Sequence, residues 1–177
     1  GVVCIPTDTV YGLACRQADA AARNRLMLMK GRTAAQPLQW LVADLPMALS
    51  AGIIASAELN RLTTRFCPGP LTIVAPVVGG ATIGFRIPAH PFVHALLQEL
   101  REPLAATSAN RSGEPPGTTL AAATTNLTEM PEVGVDAGQI VGAASTVVDL
   151  SVAPWRILRA GPISQADLAT ALAETPQ

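Results

Sequence analysis

An α/β fold, with helices packed on a mixed β-sheet, is what this sequence predicts, and three observations predict it. Short, near-continuous apolar runs rich in Val, Ile and Leu alternate with segments of helical periodicity. The helical segments carry their own start and stop signals. The chain of 177 residues is 49% hydrophobic, enough to bury a core as one domain. The alternation is not strict enough to demand a purely parallel sheet.

The elements follow in order. Val2–Ile5 reads as the first strand. Asp19 can N-cap a helix that carries Ala22, Leu26 and Met29 on one face and stops at Gly31. Gln39–Ala43 reads as the next strand. Ser56 can cap a helix bearing Leu59, Leu62 and Phe66, which ends before Pro68-Gly69-Pro70. Leu71–Ala75 and Thr82–Ile87 are strand-like. A helix then starts at about Pro91, with Val93, Leu96, Leu97 and Leu100 inward. Leu104–Thr107, Thr146–Leu150 and Trp155–Leu158 complete the strands. The last helix opens at Ser164, with Asp167 three residues on as its capping-box partner and Leu168 and Leu172 buried.

Composition excludes several classes. Twelve basic against 13 acidic residues leave a net charge of -1, which argues against an electrostatic nucleic-acid binder. No apolar run is long enough for a membrane span and none resembles a signal peptide. Three cysteines, Cys4, Cys15 and Cys67, have no metal-type spacing and suit a reducing, cytoplasmic compartment. Only three Phe, two Trp and one Tyr are present, so aliphatic side chains must build the core. Lys30 is the single lysine among the basic residues.

The residues that interrupt the apolar pattern are bunched at strand ends and in Gly/Pro loops, where α/β proteins bind ligands. Lys30-Gly31-Arg32 puts two cations where a helix stops. They can grip a polyphosphate, or they can simply complement the helix dipole. Thr107–Gly113 supplies hydroxyls, an amide and glycine-permitted backbone N–H groups after a strand, either a phosphate or nucleobase cradle or an ordinary turn. Walker and dinucleotide fingerprints are missing, as are a nucleophile elbow and a Cys/His pair. His90 and His94 have a helical metal spacing, but Pro91 puts His90 at the helix entrance and no third ligand lies nearby, so no metal site is expected. What remains is a site of cations, hydroxyls and backbone amides, suited to positioning phosphates and stabilising charge.

Seven segments in order carry a resemblance: Pro6–Leu13 (PTDTVYGL), Lys30–Leu38 (KGR followed by PL), Pro68–Thr72 (PGPLT), Arg86–Pro88 (RIP), Ser108–Gly113 (SANRSG), Ser145–Asp149 (STVVD) and Ile157–Gly161 (ILRAG). Together the chain resembles the YrdC/TsaC-like threonylcarbamoyl-AMP synthases. The resemblance implies a single domain over 1–177, a twisted mixed sheet flanked by helices around a deep cavity, and a helix ahead of the first strand that is missing here. It implies condensation of L-threonine, bicarbonate or CO2 and ATP, with Mg2+ accompanying ATP and pyrophosphate released. A tRNA-modifying threonylcarbamoyl transferase would be the partner, with weak RNA binding conceivable. Lys30 and Arg32 correspond to the basic pair on the phosphates and carry the catalytic role. Gln36, Thr82, Asn110, Thr118 and Arg159 correspond to further ATP contacts, and Thr9, Arg86, Ser108 and Ser145 to threonine contacts. Gln36 departs from the usual Lys or Asn before Pro-Leu, and Leu41 stands where some relatives place a histidine. A non-catalytic RNA-binding module and the carbamoyl-transfer module of hydrogenase-maturation enzymes are the alternative readings.

Overall fold

The computed structural model describes residues 1–31 and 38–173. Among the described residues nine strands form one sheet: β1 (Val3–Ile5), β2 (Gly12–Arg16), β3 (Gln39–Leu41), β4 (Leu71–Pro76), β5 (Thr82–Arg86), β6 (Leu104–Ser108), β7 (Val133–Gly134), β8 (Thr146–Asp149) and β9 (Arg156–Arg159). Their spatial order is β7-β1-β2-β6-β3-β5-β4-β8-β9. The pairs β7/β1, β3/β5 and β4/β8 are parallel and the other five antiparallel. The expected mixed sheet is present. The helices are α1 (Ala20–Met29), α2 (Leu45–Ser50), α3 (Ala57–Phe66), α4 (Pro91–Leu100), α5 (Leu120–Thr124) and α6 (Gln165–Ala173).

The start signals act as read. Asp19, Ser56 and Ser164 each cap a helix, their side chains accepting from the backbone N–H of Ala22, Leu59 and Asp167. Asp167 also accepts from the Ser164 backbone N–H, which closes the capping box. Gly31 ends α1 with φ +63°, a conformation that favours glycine.

The sequence reading missed β2, β7, α2 and α5. β2 is only five residues long and follows directly on the Thr/Pro-rich loop, so no period marks it. It nevertheless pairs with both β1 and β6 and is buried at four of its five positions. The two-residue β7 exists only because β1 offers it a parallel edge. The last strand starts one residue later than Trp155–Leu158 predicts, and it includes Arg159 because the β8/β9 ladder slips between Val147 and Val148 and pairs Val147 with Arg159.

Alternation along the strands separates two faces. Leu13 and Cys15 pack with Leu26 and Met29 of α1. Ile73, Phe85 and Val148 pack with Leu59 and Leu62 of α3 and Leu168 of α6. On the opposite face Ala14, Leu41, Leu104 and Ala106 pack with Val93 and Leu97 of α4. That helix covers part of its face. The remainder, where Thr72, Gly84 and Arg86 project, is left open as a cavity.

Tyr11 fastens the segment that borders this opening. Its buried phenol donates to the Gly138 carbonyl at 2.8 Å and accepts from the Ala137 backbone N–H at 3.0 Å. Burial raises its pKa above the usual phenol value, so the donor is retained. Tyr11→Phe should cost about 1–3 kcal/mol, since it leaves Ala137 without its acceptor. Urea unfolding followed by circular dichroism measures the loss.

Candidate active site

The cavity has a volume of about 340 Å³ and opens on the sheet face beside α4. Thr9, Arg86, Ser108, Ser145 and Arg159 all line it, although they come from five separate segments. Lys30 and Asn110 stand just behind its wall, joined to Ser108. Thr82 is exposed, one same-face step beyond Gly84 on β5, and Thr118 is exposed and holds Ile140 through its backbone carbonyl; neither lines the cavity. Arg32 and Gln36 lie outside the described residues.

Arg86, 3% exposed, is the buried cation of the site. Its Nε donates to the Gly69 carbonyl at 3.0 Å and its Nη1 to Thr9 Oγ1 at 2.6 Å. Nη2 forms an ion pair with Asp8 Oδ1 at 2.6 Å without hydrogen-bond alignment, so its N–H groups keep no aligned partner among the described residues. Burial pushes the Arg86 pKa down, and the Asp8 carboxylate pulls it back up. Arg86 is therefore a salt-bridge partner of Asp8, with Nη2 buried against that carboxylate.

Arg159 makes the second positive wall. Its Nε donates to the Ser145 carbonyl at 3.0 Å and its Nη2 to Ser145 Oγ at 2.9 Å. Its pKa is lowered first by burial and then by the positive charge of Arg86. Two guanidinium groups that repel each other across one cavity favour an anion between them.

From Arg159 a chain of hydroxyls runs along the cavity floor, and from Arg86 another runs back into the loop before β2. Thr72 Oγ1 donates to Gln39 Oε1 at 3.0 Å, so Ser145 Oγ, 2.8 Å from Thr72 Oγ1, is left to donate to Thr72. Thr7 Oγ1 donates to the Val10 carbonyl at 2.6 Å, so Thr9 donates to Thr7 at 3.1 Å. Ser108 Oγ lies 2.6 Å from Asn110 Oδ1, to which it donates. These hydroxyl protons are all used internally. Toward the cavity these hydroxyls keep acceptor lone pairs, and it is the two guanidinium groups that suit an anionic ligand such as a carboxylate or phosphate.

Sequence reasoning missed Gln39 and Thr72, both on the cavity floor. Their signal was a single polar residue in each of two otherwise apolar strands. Two glycines enforce close approach at the rim: a Cβ on Gly142 would lie 2.4 Å from the Thr9 carbonyl oxygen, and one on Gly161 2.4 Å from the Thr146 nitrogen. Leu41 is packed with Val93 and Leu97 and takes no part in the cavity.

Lys30 corrects the helix-end reading. It is fully buried and is not a solvated dipole charge. Its Nζ donates to the Ser108 carbonyl, and to Asn110 Oδ1 at 3.0 Å. The lysine thus shapes the loop that follows β6. Burial raises the thiol pKa of Cys4 to about 12 and of Cys15 and Cys67 to about 11, which leaves no reactive thiolate near neutral pH.

Fold and cavity together define a mixed α/β protein with a preorganised, cation-lined site for an oxygen-rich anionic ligand. The Sua5/YciO/YrdC family, described as "Telomere recombination", matches residues 1–161, and the chain belongs to that family. A Pyrococcus abyssi protein named threonylcarbamoyl-AMP synthase is 35% identical over 98% of this chain and 54% of its own length. A Mycobacterium leprae relative is 38% identical over 99% of this chain and 84% of its own. The crystal structure of P. abyssi Sua5 complexed with L-threonine matches with a TM-score of 0.89 at 33% identity, over 98% of this chain and 54% of that one. The chain thus spans about half the length of the archaeal relative. Among the described residues no helix is long and apolar enough to cross a membrane.

Lys30→Met should destabilise the protein by about 1.5–3 kcal/mol, the worth of a charge-assisted hydrogen bond. It should also increase protease cleavage between residues 108 and 117. Thermal melting and limited proteolysis read the two effects, and an unchanged melt would return Lys30 to a surface role.

Proposed function

We propose that the chain is an L-threonylcarbamoyladenylate synthase, joining L-threonine, bicarbonate or CO2, and ATP with release of pyrophosphate. The observation that carries this reading is the cavity that Arg86 and Arg159 line together, two guanidinium groups close enough for one to lower the pKa of the other. The archaeal relative's complex with L-threonine supports an amino acid as one occupant. The product would pass to a tRNA-modifying transferase.

In this reading Arg86 holds the threonine carboxylate, with Thr9, Ser108 and Ser145 around the amino acid. Arg159 faces the nucleotide end, joined there by Asn110, Thr82 and Thr118. Lys30, Arg32 and Gln36 attend the phosphates. Lys30 acts there through the Ser108–Asn110 loop that it holds. The neutral threonine amine adds to CO2 and loses a proton, giving a carbamate. A carbamate oxygen then forms a bond to the α-phosphorus as the bond to pyrophosphate breaks. Cations and positioned N–H groups stabilise the charge that moves onto the leaving oxygens, and enclosure protects the labile carbamate from water.

Among the described residues no group of three or more His, Cys, Asp or Glu could hold a metal ion. A resident protein-bound Mg2+ does not fit them. Mg2+ would instead enter with the ATP phosphates as part of that substrate.

Pyrophosphate release should require threonine and bicarbonate together. Release from ATP alone, or none with all three, would count against the synthase. Arg86→Lys keeps the charge beside Asp8 but loses the fork, so threonine affinity should fall on the order of 10- to 150-fold while ATP affinity holds. Separate calorimetric titrations of the two ligands check this; loss of ATP affinity alone would move Arg86 to the nucleotide side.

A further inference from the structure

Gln39 stands out among the residues the proposed chemistry leaves unused. Its side chain lies on the cavity floor, and the parallel register of β3 with β5 (Trp40 beside Phe85, Leu41 beside Arg86) puts it next to Gly84. Gly84 matters because it has no side chain. A Cβ there would stand 3.9 Å from Gln39 Cβ and 3.4 Å from Thr72 Cγ2, in the space between them. Across this gap Gln39 Oε1 reaches the Thr72 hydroxyl, one strand beyond β5, at 3.0 Å.

That bond sets the orientation of the amide. Thr72 donates to Oε1, and Thr72 is itself held by Ser145, which Arg159 holds in turn. With Oε1 committed, Nε2 carries both remaining N–H groups and makes no hydrogen bond among the described residues. The result is a neutral, oriented double donor between two cations. Arg86 lies one same-face step away along β5, roughly 7 Å of strand, and Arg159 begins the chain at the other end. The two N–H groups of Nε2, set between two cations, favour a group there that brings acceptor oxygens and negative charge.

We infer that the Gln39 amide is the recognition group for the bicarbonate-derived oxyanion, either bicarbonate itself or the carbamate made from it. The inference rests on the synthase reading, in which the carbonate-derived group joins the amino acid held at Arg86 to the nucleotide beyond it. Thr72 is the positioning residue that keeps Nε2, and not Oε1, toward that group.

Steady-state pyrophosphate release, with bicarbonate, threonine and ATP varied separately, tests the assignment. Gln39→Met removes the donor without adding charge, and should raise the KM for bicarbonate on the order of tenfold or more, with the KM for threonine and for ATP changed less than twofold. Gln39→Glu keeps an acceptor for Thr72 but turns a carboxylate oxygen toward the anion, and should raise the bicarbonate KM further. Thr72→Val, which frees the amide to rotate, should give an intermediate rise. Thermal melts establish that each variant is folded. An unchanged bicarbonate KM in folded Gln39→Met overturns the inference, as does a rise confined to threonine, which would make Gln39 a reader of the amino acid. A second measurement does not depend on turnover: saturable line broadening of 13C-bicarbonate by the protein with threonine present and ATP absent. Wild type should broaden the signal and Gln39→Met should not. If wild type shows this binding but releases no pyrophosphate, the synthase reading falls and the Gln39 assignment stands. If neither protein broadens the signal, the assignment falls.

Discussion

A guanidinium buried at the end of a strand is the constraint around which this structure is organised. Removing a charge from water costs several kcal/mol unless partners replace the lost hydration. Arg86 obtains them from three directions: the Gly69 carbonyl, the Thr9 hydroxyl and the Asp8 carboxylate. Satisfying one side chain therefore draws the loop before β2 and the Pro/Gly-rich loop before β4 onto the end of β5. The cavity is the space those loops enclose. Its positive character is built in, because Arg159 stands on the same cavity as Arg86 while Asp8 offsets only the latter.

The second organising feature is the direction of the hydroxyl hydrogen bonds. In both chains an arginine donates first, and each hydroxyl passes its proton on, ending at the Val10 carbonyl or at Gln39. Such chains leave little freedom for a hydroxyl to turn and act as a donor toward ligand. They also hold the walls in place, which is what positioning catalysis requires. The glycines of the site serve this arrangement. Gly142 and Gly161 allow backbone to pack directly on Thr9 and Thr146, and Gly84 leaves the floor open for Gln39.

Lys30 shows how a local reading falls short. A cation at the end of a helix is compatible with a dipole role or a phosphate role, and nothing within α1 separates them. The side chain turns inward instead, to Ser108 and Asn110, far along the chain. Its rarity in an arginine-rich sequence was a fair hint that this lysine is special. It did not say that burial would be the reason.

What the sequence by itself determined is local or cumulative. Caps at Asp19, Ser56 and Ser164 are set by side chains within three residues of the N–H groups they accept from. The α/β class follows from hydrophobic periods, while the roles of Thr9, Arg86, Ser108 and Ser145 around threonine and of Arg159 at ATP are what the family resemblance of seven ordered motifs implies. Tertiary structure alone decided β2, β7, the slip that brings Arg159 into β9, and the cavity roles of Gln39 and Thr72. The physical reason is the same in each case. A short strand is stabilised by the edge it meets, and a polar side chain takes its meaning from the partner facing it across the sheet. Neither partner lies close enough in the chain to leave a periodic trace.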